Sequence, residues 1–401
     1  MAFSNRVMSV AFVLAAGCGG LETDTTTGLT DALSQSLDAY VLEQMRVAQV
    51  PGLAVAVVRG GQTVFSRGYG WSNVAAGTPA TADTLFNVAS ISKTLTASAL
   101  MQLVEAGQLG LDQDINPLLS SGTGWEALNP AFPRAPITPR MLLSHTSGIV
   151  DTNDIWSYAV WGEDSPLPLD TFERGFLVPG GAYYRPAHWS RSHAPGTFYE
   201  YSNEGIALAG DLVQRVSGNN LQDYSEAHIF EPLGMAHSSW FLAGLDLSTV
   251  AVQYQVDAKG NFVAEGYEGY PDFPSGQLRT SANELARFLA AFAQGGELGS
   301  QRILQASTVK EMETLQPSSA EGLSWEFFTF GGTQTFGHSG ADTGTSADMY
   351  FDPATGAGFV LLTNGSVYSN FFAQFEADDL SVPQLRAMMN LDVRFLQMAE
   401  Q

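Results

Sequence analysis

Ser90 and Lys93 are three residues apart, and that pair could do chemistry. Lys93 is the only charged residue between Asp83 and Glu105. Desolvating an ammonium is costly, so lysine is rarely buried without a partner. Yet the run from Thr84 to Val104 reads as a buried helix, with Ile91, Leu95, Ala99 and Leu103 on one track and Leu100 and Val104 on the next. Positions i and i+3 share a helix face. A serine touching a buried amine suggests an activated nucleophile, because serine needs a base within hydrogen-bond reach. Burial and the positive end of the helix both disfavour the ammonium form of Lys93, which would free the amine for that task. The same N-terminus offers the Ser90 backbone N–H to a developing oxyanion.

Spacing alone does not single out this pair, since Ser307 and Lys310 repeat it. Lys310 is followed by Glu311 and Glu313, the pattern of a solvated helix face, and Ser307 reads as an N-cap. His145 with Ser147 suggests a Ser-His pair, but no Gly-x-Ser-x-Gly elbow occurs in the chain. His188 and His193 are five apart with no supporting ligand pattern, so no metal site is expected, and the chain shows no cofactor motif.

The elements that must position the pair follow from apolar patterning. The 401 residues are 45% hydrophobic, enough for a sizeable core. Leu33, Leu37, Tyr40, Val41, Met45 and Ala48 have helical spacing before Pro51-Gly52. Leu53–Val58 and Thr63–Tyr69 read as a β-hairpin whose first strand is apolar throughout, hence central and covered on both faces. Met141 to Gly148 reads as a short helix; Ile206–Val216 and Leu221–Phe230 as longer ones, the second broken by Pro232-Leu233-Gly234. Ser281–Ala293 is a helix with a capping box between Ser281 and Glu284. Thr345–Phe351 and Gly358–Thr363 are strands around a turn, and Val382–Met398 is a closing helix. No regular strand pattern is visible from about 118 to 270. Ten aromatic residues fall between 150 and 200, either as core of a helical domain or as a lid over an apolar substrate pocket.

These elements give an α+β fold, an antiparallel sheet flanked by helices with an inserted, mostly helical domain. The expected boundaries are a sheet domain over 29–117 and 271–401 and a helical insertion over 118–270. Ahead of them, residues 1–17 resemble a bacterial lipoprotein signal with Cys18 as the lipidated residue, and 18–28 form a tether. The expected location is the periplasm, lipid-anchored to the cell envelope, with a secreted soluble protein as the alternative. Cys18 is the only cysteine, so there is no disulfide framework. A formal charge of −23 argues against nucleic acid as a partner. The expected partners are a small ester, amide or peptide substrate, and the membrane through the anchor only.

Several stretches resemble the serine β-lactamase and penicillin-binding-protein-like superfamily, nearest its class C-like branch with esterases, DD-peptidases and D-aminopeptidases. They are Pro51–Val57, Phe86–Lys93, Leu142–Ile149, Tyr201-Ser202-Asn203, Ile229–Met235, Gly337–Gly340 and Phe351–Gly356, in family order. The resemblance implies a β-lactamase/transpeptidase-like fold, Ser90 as the acylated nucleophile and Lys93 as its proton acceptor. Tyr201 would shuttle a proton between nucleophile and leaving group, and Asn203 would orient substrate. Whether lysine or tyrosine acts as the acylation base stays open. His338 stands where the lactamase motif has lysine, followed by Ser339 and Gly340, and the backbone N–H of Ala341 resembles the second oxyanion donor. Gly340 and Gly344 would leave room for substrate against the strand. A histidine there is mostly neutral at pH 7, so a fixed cation for a substrate carboxylate is not expected. The reading is therefore an esterase or D-residue-specific peptidase, with a β-lactamase as one alternative and a non-enzymatic penicillin-binding-like sensor or scaffold as the other. Replacing Lys93 with alanine should abolish labelling of Ser90 by a fluorophosphonate probe, whereas Lys310→Ala should leave it at the wild-type rate. Labelling that survives Lys93→Ala would refute the pairing.

Overall fold

The computed structural model describes residues 25–26, 31–152 and 155–401. The expected signal segment and Cys18 lie outside the described residues. Of the expected tether, Thr25 and Thr26 are described, and they pair with Ser66 and Phe65 at the edge of the main sheet.

Among the described residues that sheet has eight strands, and all its ladders are antiparallel. We label β1 (Gly52–Arg59), β2 (Gln62–Asn73), β3 (Glu326–Phe330), β4 (Thr333–Asp342), β5 (Thr345–Phe351) and β6 (Gly358–Thr363). The order runs from Thr25–Thr26 through β2, β1, β6, β5 and β4 to β3, with Thr78–Pro79 paired beside β2. β1 lies against β6 with Leu53 opposite Thr363 and Val58 opposite Gly358, so early and late parts of the chain share one sheet.

Side chains alternate across a strand with a period of two. Leu53, Val55 and Val57 face one layer, with Val41 and Met45 of helix α1 (Asp31–Ala48) and Leu391 and Phe395 of the closing helix, Pro383–Glu400. Ala54, Ala56 and Val58 face the other, with Leu95 and Leu100 of α2 (Ser92–Glu105), Ile206 and Leu212 of α3 (Asn203–Ser217) and Phe288 of α4 (Ala282–Ala293). Both faces of β1 are therefore dry, which is why no polar residue interrupts it before Arg59.

Some elements differ from the expectation for local reasons. Thr84–Val104 is not one helix: Phe86–Asn87 pairs with Arg279–Thr280, Ala89–Ile91 form a 3₁₀ turn, and α2 starts at Ser92. The helix before His145 is Pro139–Leu143, with proline in its first turn and Thr138 accepting from Met141 N. Two small ladders occur in the stretch read as strandless, Gln253–Val256 with Phe262–Gly266 and Val160–Trp161 with Glu268–Gly269. Their strands are too short to show a period. Half of the expected capping box forms: Ser281 accepts from Glu284 N, but the Glu284 carboxylate takes His237 N and Ser238 Oγ instead. Gln305, not Ser307, caps the helix Ala306–Met312, on which Lys310 is exposed. The aromatic stretch splits, with Phe172, Phe176 and Trp189 in the core and Trp156, Trp161 and Phe198 exposed.

Leu361 is fully buried in β6, so Leu361→Ala should cost about 2–5 kcal/mol in urea unfolding, whereas Leu315→Ala, at 56% exposure, should cost little. Equal effects would show that the layer between sheet, α1 and closing helix is misassigned.

Candidate active site

The segment before α2 has an uncommon backbone. Ala89 has φ +44°, a left-handed conformation that costs a non-glycine residue about 1–3 kcal/mol. Asn87 Oδ1 accepts from Ala89 N at 2.6 Å, and Val88 N donates to Leu278 O at 3.0 Å, so both ends of the turn are fixed. Ser90 follows at the edge of the buried region. α2 carries Ser92, Thr94, Thr96 and Ser98 among buried residues, and each hydroxyl is satisfied. Ser92 Oγ accepts from Leu278 N, Thr96 donates to Pro274 O, and Thr94 and Ser98 donate back along the helix. These bonds pin residues 274–278 alongside the helix start.

Lys93 is fully buried. Its Nζ lies 2.9 Å from Ser90 Oγ and donates to Ser275 O at 2.6 Å. The Tyr201 ring covers it, with Nζ 5.0 Å from the centroid. Burial pushes the Lys93 amine down to about 8, against opposing pulls from Asp151, Asp272, Glu321 and Glu326. Asp272 is itself pushed up to about 7 by burial, and it accepts from Ser275 Oγ at 3.1 Å.

Tyr201 precedes α3. Its hydroxyl is hydrogen-bonded with Ser90, and burial holds the phenol well above its ordinary range. The ring stacks on His145 with centroids 4.4 Å apart. His145 is buried at φ +54°, accepts from Ser202 N through Nδ1 at 3.0 Å and turns Nε2 to Glu321 Oε1 at 3.4 Å. Nδ1 holds the Ser202 N–H and the ring face backs Tyr201, while Nε2 faces the buried Glu321 carboxyl without a hydrogen bond, so His145 is a support and not a base for a serine. Asp151 accepts from Ser202 Oγ and Asn203 N at 2.9 and 2.6 Å, holding the first turn of α3 and with it Asn203.

β4 brings the remaining residues. His338 is buried, its ring centroid 6.5 Å from that of Tyr201. Burial lowers its pKa, so the ring is neutral at pH 7. Nδ1 lies 2.5 Å from Ser339 O, which places the proton on Nδ1 and leaves Nε2 as a buried, unpartnered acceptor. Ser339 does not join the site through its side chain. One position along the strand, it faces the opposite layer, where Oγ donates to Asp348 Oδ1 and meets the Tyr350 hydroxyl, both at 2.8 Å. Its backbone N–H donates to Glu326 Oε2 at 3.1 Å, beyond the last β3–β4 pair, Glu326 with Gly337. Two residues on, the Ala341 N–H points to the same open edge.

Gly340 and Gly344 serve backbone contacts and not substrate room. A Cβ on Gly340 would lie 2.3 Å from Val88 O, and one on Gly344 2.4 Å from Gln253 Cβ. Absence of a side chain at 340 lets β4 press on the turn that presents Ser90.

Sequence reasoning missed Asn87, Asp151, Asp272, Ser275, Glu321 and Glu326, which no spacing links to Ser90. His188 stacks on Phe176 and His193 on Phe198, apart from the site. Among the described residues no group of His, Cys, Asp or Glu could hold a metal ion, and no helix is long and apolar enough to cross a membrane. An open cavity of about 550 Å³ adjoins Tyr270 and Phe273 but does not include Ser90.

Residues 37–380 match the Beta-lactamase family, and the chain belongs to it. It is 25% identical over 339 residues to Protein flp of Staphylococcus aureus strain N315, covering 84% of this chain and 64% of that protein. It is 27% identical over 343 residues to Penicillin-binding protein 4 of Amycolatopsis lactamdurans, covering 80% and 83%. The fold matches the octameric penicillin-binding protein homologue from Pyrococcus abyssi at a TM-score of 0.66 and 27% identity, over 84% of this chain and 74% of that one.

Gly340→Ala must displace either β4 or the Ala89 turn. We expect a native-like circular dichroism spectrum and Ser90 labelling slowed about 10- to 100-fold. Wild-type labelling would show that the contact does not position the serine.

Proposed function

We propose that the protein is a serine hydrolase that works by acyl transfer on Ser90, with an ester or a peptide of D-residues as substrate. The observation that carries this is the fully buried Lys93 amine 2.9 Å from Ser90 Oγ, lowered to about 8. An amine lowered this far is neutral in a usable fraction at pH 7 to 8 and can take the Ser90 proton. Tyr201 is pushed the other way, towards the neutral phenol, which suits it to pass a proton and not to act as a phenolate base. This favours Lys93 in the choice that the sequence leaves open.

In the reaction, Lys93 accepts the Ser90 hydroxyl proton as Oγ bonds to the substrate carbonyl carbon. The carbonyl oxygen becomes an oxyanion held by the Ser90 and Ala341 N–H groups. As the tetrahedral intermediate collapses, Tyr201 donates its proton to the leaving alcohol or amine and regains one from Lys93. Water then attacks the acyl-enzyme, loses a proton to the same amine–phenol pair, and Ser90 leaves as the hydroxyl. Asn203, opening α3 beside Tyr201, would orient the acyl chain. The neutral His338 supplies no cation for a substrate carboxylate, which favours esters and D-residue amides over β-lactams and over peptides cleaved next to a free C-terminal carboxylate. The relatedness to a penicillin-binding protein and a penicillin-binding protein homologue supports acylation of a serine at this site.

Protonated Lys93 cannot act as base, so kcat/KM for p-nitrophenyl butyrate should rise with pH and level off above an apparent pKa near about 8. A profile flat from pH 6 to 9 would contradict the assignment of the base. On one preparation, turnover of the ester should exceed that of nitrocefin and that of a D-Ala-D-Ala peptide, both of which carry a free carboxylate close to the scissile bond. Efficient nitrocefin hydrolysis would overturn the substrate reading, and Ser90 labelling without any turnover would favour a sensor.

A further inference from the structure

The open edge of β4 defines where substrate must run. β3 stops at Glu326, opposite Gly337, and leaves the following residues of β4 unpaired on that side. A substrate whose oxyanion is bound at Ala341 N–H therefore lies along this edge in the manner of an added strand, with its acyl group on one side of that N–H and its leaving group on the other, the side of Ser339 in the proposal below. The next N–H on the same edge belongs to Ser339, roughly 7 Å away by the two-residue repeat of a strand. That N–H is already taken by Glu326 Oε2. The Tyr350 hydroxyl donates to the same oxygen at 2.7 Å, and Glu326 Oε1 lies 3.7 Å from His338 Nδ1. The Glu326 side chain stays 32% exposed, so it is fixed in place and still open to a ligand. Asp151, Asp272 and Glu321 lie further inside and are buried or nearly so. His338 presents a buried, unpartnered Nε2 on the Tyr201 side of the same strand, an acceptor and not a cation.

We propose that Glu326 is a specificity-determining residue that turns away substrates with a free carboxylate close to the scissile bond, so that the site takes acyl donors whose leaving group is uncharged there. This rests on the serine hydrolase reading above. The spot on the strand edge beside the oxyanion donor carries a carboxylate and a neutral imidazole acceptor, and an incoming anion meets like charge and a lone pair. An amide or hydroxyl at that spot can donate to Glu326 Oε1 or His338 Nε2 instead.

The test uses the full chain with meta-carboxyphenyl and meta-carbamoylphenyl butyrate, which share the acyl group and differ in charge on the leaving group. Wild-type kcat/KM should favour the carbamoyl ester by about tenfold, and in Glu326→Gln this ratio should fall towards one. The glutamine oxygen can still accept from Ser339 N and the Tyr350 hydroxyl. An unaltered ratio in Glu326→Gln, or a wild-type preference for the carboxylate, would overturn the proposal. A second measurement needs no variant: raising ionic strength from about 0.02 to 0.5 M should narrow the wild-type preference, and a preference insensitive to salt would also overturn it. Fluorophosphonate labelling of wild-type Ser90 separates the two levels. Labelling with an unaltered ratio defeats the role of Glu326 alone, while no labelling defeats the hydrolase reading and this inference with it.

Discussion

Lys93 is the one lysine of the three that is fully withdrawn from water, and holding an amine there shapes everything around it. An ammonium in a dry interior costs several kcal/mol unless it is neutralised or finds partners. Here both happen in part. The Ser275 carbonyl and Ser90 Oγ receive it, four carboxyl groups pull its protonation up, and burial pulls it down to about 8. Asp272 shares this compromise through Ser275, since the same buried setting raises it to about 7. The hydroxyl-rich face of α2 belongs to the same solution. Ser92 and Thr96 bind the 274–278 segment and so fix the carbonyl that Lys93 needs.

The sheet determines where the other groups sit. β4 lies between β5 and β3, and its period of two sends His338 towards Tyr201 and Ser339 towards Asp348 and Tyr350 on the far side. Gly340 then touches the Val88 carbonyl, so the sheet and the nucleophile turn are in direct backbone contact. From the opposite wall, the His145 ring backs Tyr201 while its Nδ1 holds Ser202 N. Ser90 is thus set between two supports that are far apart in sequence, and Ala89 keeps its left-handed backbone because both are fixed.

Much of this was legible from residue types. A lone cation in an apolar run pointed to Lys93, an unbroken apolar strand pointed to the centre of the sheet, and the two late strands around Asp352–Gly356 were plain. Other parts were not. Asp151, Asp272 and the Glu321–Glu326 pair come from three separate stretches, and a carboxyl group shows no sign in sequence of lying near a distant buried amine. The face that the Ser339 side chain takes was not legible, because a strand pattern without its register does not tell which face a residue takes. β3 reads Glu-Phe-Phe-Thr-Phe, with no clean alternation, because its Phe327 packs towards one layer and Phe328 towards the other. Gly340 was read as space for substrate, whereas a neighbouring carbonyl fills that space.

The most direct test of the account is a titration of Lys93 itself. With only three lysines in the chain, the signals of lysine labelled with ¹³C at Cε can be followed by NMR, with Lys93→Ala assigning the signal of interest. The predicted result is a Lys93 signal that titrates at about 8. A Lys93 signal that titrates at the ordinary lysine value of about 10.4 would contradict it.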